Sequence, residues 1–319
     1  DDRFSTVHRN LALALFNKRQ QPAEATISLE KAFALDEADA RVLMELDQLY
    51  KRLNKPALFR LELLEKYPAL VNDRDDLYLE RITLYNQLGR HLEAYELLMA
   101  RNFHPWEGGE GKVTFQYIYS LISMAKAAIR VADHQEALEL LEKARQYPHN
   151  LGEGKLYGAQ ENDIDYWSGC AYAGLGQTAN AIACWERAAT GQSVPAAAMY
   201  YNDQQPDKIF YQGLALLQLK RKAEAGSRFN KLTDYGEAHL FDEVKIDYFA
   251  VSLPDLLIWD DDLNKRNRLH CYYLIGLGQL GQGKTEQARA MFEQVLEADS
   301  YHTGAHVHLA MSVPTTQLS

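Results

Sequence analysis

The sequence predicts an all-α fold, a right-handed superhelical solenoid of about seven to eight antiparallel helix pairs. Two observations carry the prediction. A small residue, an alanine twelve positions later and a large apolar residue four beyond that recur along the chain. The distance between copies grows toward the C-terminus, and the added residues all fall in one kind of connection. Composition agrees with a folded chain, since 47% of the 319 residues are hydrophobic and 24% are charged.

Four segments carry the pattern most clearly: LISMAKAAIRVADHQEALELLEKAR (121–145), DYWSGCAYAGLGQTANAIACWERAA (165–189), IFYQGLALLQLKRKAEAGSRFNKLT (209–233) and YYLIGLGQLGQGKTEQARAMFEQVL (272–296). Their small residues are Ala125, Gly169, Gly213 and Gly276, and their alanines Ala137, Ala181, Ala225 and Ala288. The large residues are Leu141, Trp185, Phe229 and Phe292. Weaker copies stand upstream at Tyr85, Gly89, Ala94 and Leu98, and at Phe16, Ala25, Leu29 and Ala32. A degenerate copy covers 38–67. Two short helices approach closely only where facing side chains are small, so the glycine and alanine mark the crossing. The large residue is expected to fill the hole against the next pair. This set of positions resembles the tetratricopeptide repeat, a helix–turn–helix unit of about 34 residues. The resemblance covers most of the chain and implies a stacked helical solenoid.

With the contact alanine as marker, the copies sit at 25, 57, 94, 137, 181, 225 and 288, in steps of 32, 37, 43, 44, 44 and 63. The excess follows the second helix of a repeat and precedes the first helix of the next. It defines four inserted loops, at 102–117, 147–163, 191–208 and 235–267. The chain therefore reads as one domain over 1–319, near-standard over 1–101 and loop-bearing over 102–319. Insertions confined to one kind of connection project from one edge of a solenoid, where binding faces are common.

The first two loops share Gly-Glu-Gly-Lys, Gly109 to Lys112 and Gly152 to Lys155. This is either a turn common to two helix joints or a duplicated ligand contact. The loops also gather aromatic residues beside carboxylates and amides: Trp106, Tyr157, Tyr200 and Tyr201 with Asn202 and Asp203, and Trp259 with Asp260. Flat rings beside polar groups suit a sugar or an extended peptide, and equally a local mini-core over the solenoid edge. The candidate partner-binding set is Trp106, Glu107, Glu110, Lys112, Asn150, Glu153, Lys155, Tyr200, Tyr201, Asn202, Asp203, Asp255, Trp259 and Asp260. Trp167 and Trp185 fall inside repeat helices and are expected in the core.

Other chemistries find little footing. A formal charge of −10 argues against nucleic acid or an anionic membrane as the main partner. Cys170, Cys184 and Cys271 form no Cys-x-x-Cys pair and read as reduced core thiols, which suits the cytoplasm. The most apolar stretch, YFAVSLPDLLIW, is interrupted by Pro254 and Asp255, and no run approaches the ~20 residues of a membrane span. His302, His306 and His308 could place two imidazoles on one helix face, but no third ligand stands nearby, so no metal is assigned. The stretch GQLGQGKT (278–285) matches the phosphate-cradling loop of nucleotide hydrolases. That loop needs a preceding strand and a parallel sheet, whereas the repeat register puts Gly283 in a helix–helix turn. No catalytic residue and no cofactor are assigned.

The wording WEGGEGK, YPHNLGEGKL, MYYNDQQPDKIFYQG and DYFAVSLPDLLIWDDDL is similar to the C-terminal repeat region of a group of large bacterial proteins. Those carry an N-terminal domain of unknown function and have been linked with sugar-related roles. The likeness, with an opening DDRFSTVH that lacks Met, implies a helical portion of a longer protein. The expected function is a non-enzymatic scaffold that binds a partner segment, or its own N-terminal domain, through the inserted loops. The alternative is a carbohydrate-binding or carbohydrate-processing module using the aromatic and carboxylate loops.

Overall fold

A computed structural model describes residues 3–106, 108–197, 203–244 and 258–313. Among the described residues there are sixteen α-helices, one 3-10 turn and no strand. The helices α1 (Ser5–Asn17) and α2 (Pro22–Leu35) form the first pair, and α3 (Ala40–Arg52) and α4 (Ala57–Lys66) the second, extended by the short α5 (Pro68–Asp73). Then come α6 (Asp75–Gln87) with α7 (His91–Met99), α8 (Lys112–Arg130) with α9 (His134–Ala144), and α10 (Asn162–Gly174) with α11 (Thr178–Ala188). The last pairs are α12 (Pro206–Gln218) with α13 (Lys222–His239) and α14 (Leu263–Gly281) with α15 (Thr285–Ala298), followed by α16 (Thr303–Met311).

Each pair turns in the same way. One residue in the joint takes a left-handed conformation: Gln20, Asn54, Gly89, Ala132, Gly176, Lys220 and Gly283. In all but the first joint, where Gln21 reaches Leu15, the amide after it reaches back five residues, as from Lys55 to the Tyr50 carbonyl and from Lys284 to that of Gln279, both 3.0 Å or less. This is the Schellman closure, which satisfies carbonyls left open at a helix end and reverses the chain. The GQLGQGKT stretch is such a joint. Gly278 and Gly281 lie in α14, Gly283 is the left-handed residue, and Thr285 opens α15.

The repeated small and large residues meet within each pair. A Cβ on Gly276 would lie 2.6 Å from the Phe292 ring, and one on Gly169 or Gly213 would overlap Trp185 or Phe229. The large residue thus lies over the glycine of its own pair, where the sequence reading placed it against the next. Phe229 does both, because its ring also blocks a Cβ on Gly281 of the following pair. The marker alanines 25, 94, 137, 181, 225 and 288 are all buried. Ala57 is not; it begins α4 and is half-buried. In this degenerate pair the joint between α3 and α4 is an ion pair, with Arg60 bidentate on Asp47 at 2.9 and 2.5 Å, both buried.

Successive first helices touch one another along the row α6, α8, α10, α12 and α14, whereas each second helix meets the first helix that follows it. The row of first helices is therefore the inner layer of a curved stack, and the second helices are the outer layer. The helices also reach into the expected loops: α8 begins at Lys112, α10 at Asn162, α12 at Pro206 and α14 at Leu263, while α13 runs on to His239.

Candidate functional site

The segments on either side of the α14–α15 pair return to the first three pairs. The contacts that join them come from three side-chain amides at or just beyond the C-terminal ends of first helices in the first three pairs. Asn17, the last residue of α1, donates to the Ile258 carbonyl at 2.9 Å and accepts the Asp260 amide at 2.9 Å. Asn54, in the turn after α3, donates to the Ala298 carbonyl at 3.3 Å and accepts the Ser300 amide at 3.0 Å. Gln87, ending α6, donates to the Ser300 carbonyl at 3.1 Å. Asn17 and Asn54 each grip a carbonyl and the amide two residues on, so the same arrangement holds main chain twice.

Side chains fix the register of the two captured segments. The Trp259 ring is 1% exposed, stands edge-on to Phe16 at 5.2 Å and donates its indole N–H to the Glu45 carbonyl at 3.1 Å. The Glu45 carboxylate is itself fully buried, clamped by Arg9 and, at 3.0 Å, by Arg41. Asp261 pairs with Arg52 at 3.2 Å. In the second segment, the Tyr301 hydroxyl donates to the Lys55 carbonyl, and its ring lies 4.6 Å from the Arg60 guanidinium carbon. Arg60 also bonds Glu80 at 2.9 Å, and Lys51 reaches Glu80 at 2.8 Å. Burial alone would raise the Glu80 carboxyl, yet Lys51 and Arg60 together hold it down at about 2.

Beyond Tyr301, α16 seats an imidazole among aromatic rings. His308 is buried, with Phe210 at 5.2 Å, Tyr273 at 5.8 Å and Tyr211 at 6.0 Å. Burial lowers it to about 3, so it is neutral at physiological pH, with Nδ1 on the Gly304 carbonyl at 2.7 Å. The other two imidazoles of this run point elsewhere. His302 accepts the Ala305 amide at 3.0 Å and caps α16, while His306 contacts the Ser300 carbonyl at 2.8 Å. His302 and His306 serve their own segment and His308 docks α16 on α12 and α14, and no cluster of metal-ligating side chains is found among the described residues.

Those of the loop residues singled out from the sequence that are among the described residues lie in several separate places. The two Gly-Glu-Gly-Lys copies touch each other, because Glu153 accepts the Gly111 amide at 2.8 Å and the Thr114 hydroxyl at 3.2 Å at the start of α8. Asn150 donates to the carbonyls of Leu98 and Arg101 at 2.9 and 3.0 Å, just past α7. Lys155 reaches the Arg145 carbonyl at 3.1 Å and Glu161 at 2.5 Å. Trp106 lies over Gly109, whereas Glu110 and Lys112 face outward. Asp203 is half-buried before α12. Trp259 and Asp260 have crossed to the first two pairs. Glu107, Tyr200, Tyr201, Asn202 and Asp255 lie outside the described residues. The residues that do converge, Asn17, Asn54, Gln87 and Arg60, were not among those singled out.

The tetratricopeptide repeat model matches residues 270–299, which fall within α14, α15 and the residue after them. A solved tetratricopeptide repeat protein from Parabacteroides merdae is similar over 97% of this chain and 98% of its own, at 12% identity and a TM-score of 0.45. The C-terminal part of a repeat-containing protein from Cytophaga hutchinsonii matches over 94% of this chain and 98% of its own, at 13% identity and a TM-score of 0.38.

Proposed function

We propose that this chain, a helical solenoid whose α14–α15 pair is a tetratricopeptide repeat, is a non-enzymatic scaffold that binds a polypeptide segment of a partner along its inner layer. The observation that carries the reading is the capture of main chain by Asn17, Asn54 and Gln87. An amide side chain that donates to one peptide carbonyl and accepts from the amide two residues on reads backbone, whatever the sequence. The principle is that of peptide capture at a sheet edge, supplied here by turn residues of successive helix pairs.

The groups that could carry chemistry are held for structure instead. Burial pushes the Cys170 and Cys271 thiols up to about 11, so they stay protonated and unreactive. His308 is neutral and enclosed by rings. One cavity, about 540 Å³, lies away from Asn17, Asn54 and Gln87 and is lined by residues of α9, α10 and α11 such as Glu139, Tyr172 and Arg187.

The test is a displayed random-peptide library panned against the full chain and against its Tyr301→Ala variant, which frees the segment beside Asn54. Enriched peptides whose affinity falls about tenfold or more when Asn54→Ala is added support the reading. No enrichment on either protein, or binding indifferent to Asn54, overturns it.

A further inference from the structure

The main-chain groove beside the second and third pairs already holds a ligand, and that ligand is the chain's own link between α15 and α16. We infer that Ala298–Tyr301 is an internal copy of the segment this groove takes from a partner: a tight turn, closed by the His302 amide on the Asp299 carbonyl at 3.2 Å, that presents a tyrosine. The inference rests on the scaffold reading above and names the partner chemistry of that site.

Three features of the link argue for it. It is bound through backbone, by Asn54 on the Ala298 carbonyl and Ser300 amide and by Gln87 on the Ser300 carbonyl, with the Ser300 hydroxyl also donating to Asn54 at 3.1 Å. Lys265 adds a further contact to the Ala298 carbonyl at 3.3 Å. A foreign segment offers the same groups. Its one deep side chain is Tyr301, which is 9% exposed. The ring covers Arg60, and the hydroxyl meets the Lys55 carbonyl, a group that phenylalanine would leave unmet. Arg60 is fixed beforehand by Asp47 and Glu80, so the surface that receives the ring is rigid. Finally, past Ala298, the last residue of α15, the link is a short turn of Asp299–His302 that ends where α16 starts at Thr303. It can leave the groove without either helix being unwound.

A tethered segment competes at an effective concentration in the millimolar range, so a partner of ordinary affinity binds only when the link lets go. The groove is thus guarded by its own mimic, and the partner must match or outbid the Ser-Tyr element.

The experiment titrates a fluorescent peptide, LEADSYHTG (residues 296–304), into the full chain and follows anisotropy. The Tyr301→Ala chain is expected to bind it at least about tenfold more tightly than wild type. Adding Asn54→Ala should weaken that binding by about tenfold, and the peptide with alanine for tyrosine should fail to bind. A folded Tyr301→Ala chain that ignores the peptide, or takes the alanine peptide equally well, overturns the inference. Should Tyr301→Ala not fold, hydrogen exchange decides on wild type. Excess tyrosine peptide must then accelerate exchange of the Ser300 amide while the alanine peptide does not, and equal or absent acceleration overturns the inference. Panned peptides that need Asn54 but lack an aromatic residue would leave the scaffold reading in place and remove this one.

Discussion

Tyr301 lies face-on to Arg60, with 4.6 Å between the ring centre and the guanidinium carbon, although the two residues belong to opposite ends of the chain. The guanidinium is otherwise committed to Asp47 and Glu80. This one contact couples the degenerate second pair to the segment that follows the seventh. Its parts separate by mutation. Tyr301→Phe keeps the ring and loses the bond to Lys55, at about 1 kcal/mol. Tyr301→Ala loses ring burial and the cation–π contact as well, at about 3 kcal/mol. Chemical denaturation of the two variants should return them in that order; equal losses would mean the ring contributes nothing at this site.

Arg60 itself is expected to be the most sensitive charged residue. Arg60→Leu leaves the buried Asp47 carboxylate without its bidentate partner, which costs about 3–5 kcal/mol. Adding Asp47→Leu should recover most of that loss, because an apolar pair has no charge to desolvate. A double variant no better than the single one would show that Arg60 matters through Glu80 or Tyr301 rather than through Asp47.

The part of the fold that is legible in the sequence and the part that is not differ in range. Gly213, Ala225 and Phe229 meet within one pair, so their spacing follows from helix geometry and repeats wherever a pair is built. The Asn54 and Ser300 contact depends on the summed curvature of all the pairs between them, which no local spacing encodes. Asn54 also takes a left-handed turn conformation, an ordinary reason to find asparagine there, so its second task leaves no separate mark. The same holds for Trp259. Its aromatic and acidic surroundings resemble a ligand loop in sequence, yet the ring fills a gap between α1 and α3.

Trp259 therefore makes a direct probe of closure. Trp259→Ala removes a fully buried indole and should cost about 3–5 kcal/mol. The variant should also separate the first pairs from the last, seen as a larger radius of gyration by solution scattering. Trp259→Phe keeps most of the buried area and should remain compact. An unchanged scattering profile for Trp259→Ala would mean that Tyr301 and Asn54 suffice to hold the ends together.

Stability should fall with acid in two stages. His308 titrates near 6.5 in the unfolded chain and, through burial, at about 3 in the folded one. Between these values the unfolded state binds the extra proton, so stability present above about pH 6.5 is lost as pH drops toward 3. Glu80 adds a second loss below its unfolded value of 4.5, extending to about 2. Melting curves of His308→Phe across pH 7 to 4 should be flatter than wild type, since the surrounding rings accept another ring. Parallel curves would assign the upper stage to other histidines.

Contrasting substitutions test whether GQLGQGKT is a joint. Gly283 sits at a φ of 78°, where an added Cβ meets no neighbouring atom but the backbone itself is unfavourable for an L residue. Gly283→Ala is thus expected to cost about 1 kcal/mol or slightly more. Lys284 is exposed, so Lys284→Ala should stay within about 0.5 kcal/mol of wild type and leave partner binding unaltered. The converse change lies in a sister joint. Ala132 holds a φ of 61° at the equivalent place, and Ala132→Gly should stabilise by a few tenths to about 1 kcal/mol as strain relief outweighs the added flexibility of the unfolded chain. Opposite signs at Gly283 and Ala132, with Lys284 silent, identify the glycine as a turn residue. A nucleotide-binding loop predicts the reverse ranking, with Lys284→Ala abolishing nucleotide binding in calorimetry and Ala132→Gly of no consequence to it.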